Sequence, residues 1–192
     1  MRLAGLIGAL ALGLMEAASA QAQVTNHEMP GSLAPTTDPG CVSPAQAAVT
    51  LTPPDLSLGV LACAQAGDFD AAVELYVLMQ LRARFDTLRV ADTTAHQAEQ
   101  VLAMQTFAAL SPANQAQLQA AFERFGDTGG ARHTAFCAVV TAQGAPDYLP
   151  DYMIQHGITA FTGVTGDGLV PGFAVQAAWD GLLGGYLQCP GP

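Results

Sequence analysis

From residue 52 onward, apolar residues recur at helical spacing, with small or polar residues between them. Thr52-Pro53-Pro54-Asp55 reads as a helix start, with a threonine cap, proline at the first helical position and a carboxylate in the first turn. This helix is predicted to reach Ala66 and stop at Gly67. A second begins at Asp68 or Asp70 and places Ala72, Val73, Leu75, Tyr76, Leu78, Met79 and Leu81 on nearly every face, which predicts a central, most buried helix running to about Val90. A third runs from Asp92 or Thr93 to Leu110, with Val101, Leu102, Met104, Phe107 and Leu110 as its apolar set. Ser111-Pro112 caps a fourth, whose stripe is Leu118, Ala121, Phe122 and Phe125, ending at Gly126; residues 131–143 form a fifth around Phe136, Cys137 and Val140. Residues 146–156 predict one short helix, 158–172 a Gly- and Thr-rich connection, and 173–188 a last helix with Trp179, Leu183 and Tyr186 on one face. No stretch sustains period-2 alternation, so strands are not expected. The pattern predicts an all-α fold: a compact bundle or array of five to six amphipathic helices.

The front of the chain is different. Arg2 precedes an apolar run over residues 3–15, and Ala18-Ser19-Ala20 offers the small-x-small pattern that signal peptidase accepts. A run this short spans roughly 20 Å as a helix, below the ~30 Å of a bilayer core. A cleaved signal peptide over 1–20 is therefore expected. Residues 21–51 are polar and turn-rich (Pro30-Gly31, Asp38-Pro39-Gly40), which predicts a coil-like arm tied down only at Cys41, ahead of a helical domain over 52–192.

The formal charge is −10, and all six basic residues are arginine. Such a chain has no electrostatic footprint for nucleic acid or an anionic membrane, and after cleavage no stable membrane anchor is expected. Acidity points instead to a protein or peptide partner of basic character. Export makes two disulfides the default for the four cysteines. Of the three possible pairings, Cys41–Cys63 and Cys137–Cys189 are favoured, because each pins a terminal segment onto a helix. Paired C-x-x-C spacing for a metal is absent, and no cofactor is expected.

Gly67-Asp68-Phe69-Asp70-Ala71-Ala72-Val73-Glu74-Leu75-Tyr76 resembles the turn and second helix of a tetratricopeptide repeat. The likeness covers about 35 residues, has Val60 where that family usually has a small residue, and finds no second copy at a 34-residue offset. It implies a helical hairpin over 53–90 and, more distantly, peptide or protein binding.

Three constellations could carry chemistry. Arg82, Asp86 and Arg89 share one helical face, suited to binding an anion or to an internal Arg–Asp–Arg ion network with Asp92 as a further partner. Asp92, His96 and Glu99 share another, suited to a metal or a general base, or to a solvated first turn capped by Asp92. The most site-like stretch runs from Asp147 to His156, where helical geometry aligns Asp147 with Asp151 and Tyr148 with Tyr152, and places His156 one turn on. Tyrosines beside polar groups suit recognition surfaces, and the same residues suit a capped short helix packed on the core. The turn over 163–168 lacks the lysine and preceding strand of a phosphate loop, and Asp167 lacks the neighbouring carboxylates of a calcium loop.

The sequence thus predicts an exported, periplasmic or extracellular helical protein without catalytic function. Its expected role is protein or peptide binding, for example as an inhibitor or immunity-type protein, through Tyr148, Asp151, Tyr152 and His156 with Arg82, Asp86 and Arg89. A small hydrolase or metal-dependent enzyme using His96 or His156 with nearby carboxylates is the alternative.

Overall fold

The computed structural model describes residues 29–190. The expected signal peptide lies outside the described residues. Within them are eight α-helices and no strand: α1 (Pro53–Ala66), α2 (Phe69–Arg89), α3 (Gln97–Ala108), α4 (Pro112–Phe125), α5 (Ala131–Gln143), α6 (Asp151–Ile154), α7 (Thr159–Thr162) and α8 (Val175–Gly185). The six longer ones match the expected helices; α6 and α7 are single turns.

Local chemistry explains the boundaries. Thr52 starts α1 through a reciprocal cap: its hydroxyl accepts from the Asp55 amide at 3.4 Å, and the Asp55 carboxylate accepts from the Thr52 amide at 2.8 Å. α1 ends at Gly67, and the Asp68 side chain accepts from the Ala71 amide to open α2. Ser111 caps α4 in the same way, accepting from the Asn114 amide. Three boundaries differ from expectation. The third helix opens with a 3-10 turn at Thr93–His96, nucleated by the Asp92 side chain, before becoming α-helical. In 146–156 only four residues are helical, because Pro146 and Pro150 have no amide to donate to a helix ladder. The last helix is trimmed to Val175–Gly185, leaving Tyr186 outside it and 47% exposed.

α2 is the axis of the molecule. Eleven of its 21 residues are buried, and it packs against α1, α3, α4 and α8. α1 and α2, joined at Gly67-Asp68, pack against each other. Around α2 the core closes with aromatic edges: Phe85 meets Trp179 at 5.5 Å and Phe173 at 5.7 Å, Tyr76 meets Phe122 at 5.6 Å, and Phe125 meets Phe136 at 5.8 Å. On α3, Leu102 is buried but Met104 and Phe107 are exposed, so that helix buries a narrower stripe than its apolar content suggests.

Both favoured disulfides are present, Cys41–Cys63 and Cys137–Cys189, with Cα separations of 4.5 and 5.5 Å. Together they suit an oxidising compartment. No helix among the described residues is long and apolar enough to cross a membrane.

The arm is not tied only at Cys41. It carries backbone donors and acceptors with no regular partner, and buried groups of that kind must be satisfied. Asp55, 1% exposed, accepts from the amides of Thr36 and Thr37 at 2.7 Å each. Arg82, 2% exposed, donates to the carbonyls of Ala47, Ala48 and Leu51, and Gln143 donates to those of Pro44 and Ala47. The Leu33 amide donates to the carbonyl of Tyr152.

Replacing Asp55 with alanine removes the α1 cap and both arm anchors together. The expected loss is about 3 kcal/mol of stability from several hydrogen bonds to one charged acceptor. Amide exchange should rise most at residues 33–40, before the rest of the chain opens; uniform protection loss would contradict this.

Candidate functional site

The two most site-like stretches of the sequence meet on α2. Asp86, 0% exposed, accepts from the hydroxyls of Tyr152 at 2.7 Å and Tyr148 at 3.0 Å through Oδ2. Its Oδ1 accepts from Arg89 Nε at 2.8 Å. The Arg89 guanidinium lies over the rings of Tyr148 and Phe85, 4.8 and 5.0 Å from their centroids. Tyr148 precedes α6, so the tyrosines reach Asp86 from a turn and a helix rather than along the single helical face expected.

This geometry reassigns several residues. Tyr152 is 3% exposed and Tyr148 half-buried, so their edges are committed inward and offer little contact area outside. Arg82 does not complete an Arg–Asp–Arg network; its donors go to the arm carbonyls. Asp92 is not a partner of the arginines either. It accepts from the amide and hydroxyl of Thr94 and of Thr159, joining the start of the 3-10 turn to α7. Asp151 is exposed, and His156 lies apart from Asp86, its Nδ1 3.0 Å from the Ser32 hydroxyl. His96 donates to the Val90 carbonyl at 2.9 Å and Glu99 pairs with Arg84 at 3.2 Å, so the Asp92, His96 and Glu99 side chains turn to different partners. Among the described residues no group of three or more His, Cys, Asp or Glu side chains is placed to hold a metal ion.

The electrostatics follow from burial. Burial pushes Asp86 up to about 6, outweighing Arg89 and the two hydroxyls that act to lower it. Both tyrosines are raised well above their ordinary value, first by burial and then by the Asp86 charge. Asp92 goes the other way. Burial acts to raise it, but the hydrogen bonds from Thr94 and Thr159 outweigh this and hold it at about 2.

Above the Asp86 network, residues 158–173 are not a structureless loop. They contain α7 and an isolated antiparallel bridge of Val90 with Leu169, in which the Ala91 amide donates to Gly168 and the Val170 amide to Arg89. Glycine is required where the segment touches the body. A Cβ on Gly168, at φ +79°, would sit 3.0 Å from Ile154 Cδ1, and one on Gly157 would overlap the Asp92 carboxylate. Between this segment and the end of α2 lies a cleft of about 600 Å³, walled by Leu169, Val170, Pro171, Phe173 and Val175, with Arg89 and the exposed Asp167 also in its lining. Sequence reasoning did not find this cleft. Its signal was the length and glycine content of 158–172, which announced an unusual connection without saying what it covers.

The exposed apolar surface gathers on the same part of the chain. Six of the ten exposed large apolar side chains among the described residues fall within 149–175: Leu149, Ile158, Phe161, Val164, Val170 and Val175. No protein-family model, curated protein or solved structure matches the chain.

Two outcomes are expected for the network. Asp86→Ala leaves the Arg89 charge buried without its partner and two hydroxyls unsatisfied, and should cost about 3–5 kcal/mol in chemical denaturation at pH 7; Tyr152→Phe should cost about 1–2 kcal/mol. Because the Asp86 pKa of about 6 exceeds the ordinary 3.8, the folded chain holds this proton more tightly than the unfolded one. The stability it contributes is complete below about pH 4 and is lost as pH rises toward 6. Denaturation midpoints should fall across that window, with a smaller slope in Asp86→Asn; equal slopes would contradict the assignment. Asp92, depressed to about 2, adds the opposite term, present above about pH 4 and lost below it.

Proposed function

We propose that this is an exported, non-catalytic binding protein whose partner is a basic protein or peptide carrying apolar side chains, docking on the surface formed by residues 147–175. The observation that carries the reading is how the charges are spent. Each of the five arginines among the described residues is engaged internally: Arg82 by arm carbonyls, Arg84 by Glu99, Arg89 by Asp86, Arg124 by Asp70, and Arg132 by Asp70 and Glu74. Asp147, Asp151 and Asp167 meanwhile face solvent, with none of these five arginines within ion-pair distance. The outer surface is thus an uncompensated anionic field, which steers cations and repels anions. Exposed Ile158 (60%) and Phe161 (51%) lie between these carboxylates in the chain and supply apolar contact area.

Placement in the periplasm or outside the cell is supported by the two disulfides and by the leader-like residues 1–20. A basic toxin or hydrolase held in check is one concrete partner of this chemistry.

The test is titration of the full chain with a labelled Lys/Leu amphipathic peptide and with its Glu/Leu counterpart of equal length. Only the basic peptide should bind, its affinity falling about tenfold or more between 50 mM and 500 mM salt as the field is screened. The double variant Ile158→Ser, Phe161→Ser should weaken binding about tenfold with the fold unchanged. Equal binding of both peptides, or no effect of the double variant, would overturn the reading.

A further inference from the structure

Arg89 in the cleft lining is an underused cation. A guanidinium has five N–H donors. Here Nε donates to Asp86 Oδ1 at 2.8 Å, and Nη2 lies 2.7 Å from the same oxygen but out of line for a hydrogen bond. Nη1 has no acceptor among the described residues, and it is not among the side-chain atoms sealed off from solvent. Asp86 cannot supply the missing acceptor, because its second oxygen is held by Tyr148 and Tyr152. The two-oxygen pairing that a guanidinium fork favours is therefore unmade on a side chain only 6% exposed. Nη2 is sealed against Asp86, so Nη1 is the donor left for a ligand or a water.

The surroundings narrow what that ligand is. Leu169, Val170, Pro171, Phe173 and Val175 make the cleft walls apolar. The amides of Gly166 and Gly172, which border it, donate to no other described group. A volume of about 600 Å³ takes an extended chain end with one or two side chains, not a folded element. Asp167 in the lining, exposed and with its Oδ1 accepting from the Leu169 amide at 3.0 Å, adds negative charge to the cleft. With −10 on the whole chain, a small free acid is repelled on approach, whereas a carboxylate delivered behind cationic residues is not.

We propose that this cleft captures the free C-terminal carboxylate of a basic polypeptide ending in an apolar residue. The inference rests on the basic-partner reading above and names the partner's point of insertion. The carboxylate takes Nη1 of Arg89, the last side chain lies against Val170 and Phe173, and the preceding basic residues meet Asp167 in the cleft lining.

Four probes against the full chain separate the possibilities: an Arg/Lys-rich peptide ending in Leu-Val with a free carboxylate, the same peptide amidated, a Gly/Ser peptide ending in Leu-Val with a free carboxylate, and hexanoate. The first should bind tightest, with amidation weakening it about tenfold or more, the worth of a charge-assisted hydrogen bond. Hexanoate should not bind. Val170→Asp, on the wall and outside the ion pair, should abolish the preference for the free acid while leaving the fold intact. Arg89→Gln should do the same, with Val170→Asp as the readout if that variant unfolds. Equal affinity for acid and amide overturns the capture proposal and leaves the basic-partner reading standing. Tighter binding of the neutral acid than of the basic one supports carboxylate capture and overturns the basic partner. Hexanoate binding as well as the first probe overturns the C-terminal assignment, and binding of no probe overturns both.

Discussion

The structure depends on a conflict within α2. This helix is buried on most of its surface, yet within one face and two turns it carries Arg82, Asp86 and Arg89, all nearly inaccessible. Charges taken out of water are tolerated only when their hydrogen-bonding capacity is met nearby. Arg82 meets it by drawing in the carbonyls of 47–51, which seats the arm on the helix. Asp86 meets it with two tyrosine hydroxyls, which seats 148–152 beside the arm, where the Asp147 amide donates to the Val49 carbonyl. Two irregular segments far apart in sequence are thus held to one helix by polar groups that the helix could not otherwise bury. Asp55 does the same at smaller scale, serving α1 and the arm with one carboxylate.

The same economy shapes the exterior. A chain with six basic residues that spends five of them on internal or paired contacts leaves its remaining carboxylates uncompensated. Pairing leaves the net charge of −10 unchanged and concentrates the excess on carboxylates that face solvent. Ile158, Phe161, Val164, Val170 and Val175 stay outside because α7 is one turn long and the flanking segment is held by its backbone and by Asp92, with no further helix among the described residues to cover it. Where one end of that segment pairs with the end of α2, it roofs a cleft around Arg89.

Much of the framework was legible from local text. Thr52-Pro53, Gly67, Ser111-Pro112 and Gly144 mark helix ends because capping is a short-range interaction that a few neighbouring residues decide. The buried character of α2 was legible because apolar residues fall on every face. The disulfide pairs were favoured because each pins a terminal segment onto a helix, and both are present. Other features were not legible. The alignment of Tyr148 with Tyr152 was read as helical, but Pro150 breaks the helix and the two hydroxyls converge through a turn. Asp92, His96 and Glu99 share a periodicity, yet each is claimed by a different partner: Thr159, the Val90 carbonyl and Arg84.

By itself the sequence determined the helices, most of their ends, the buried character of α2 and the net charge, since each follows from propensity, capping or composition within a few residues. Only the tertiary structure decided which charges are spent and which are left over. Arg82 and Arg89 look equivalent along α2, but one gives three hydrogen bonds to an arm 31–35 residues away, while the other keeps Nη1 without an acceptor beside a cleft walled by residues 169–175. Hydrogen-bond satisfaction is a property of what surrounds a side chain in space, and a one-dimensional pattern cannot count the partners that folding brings to it.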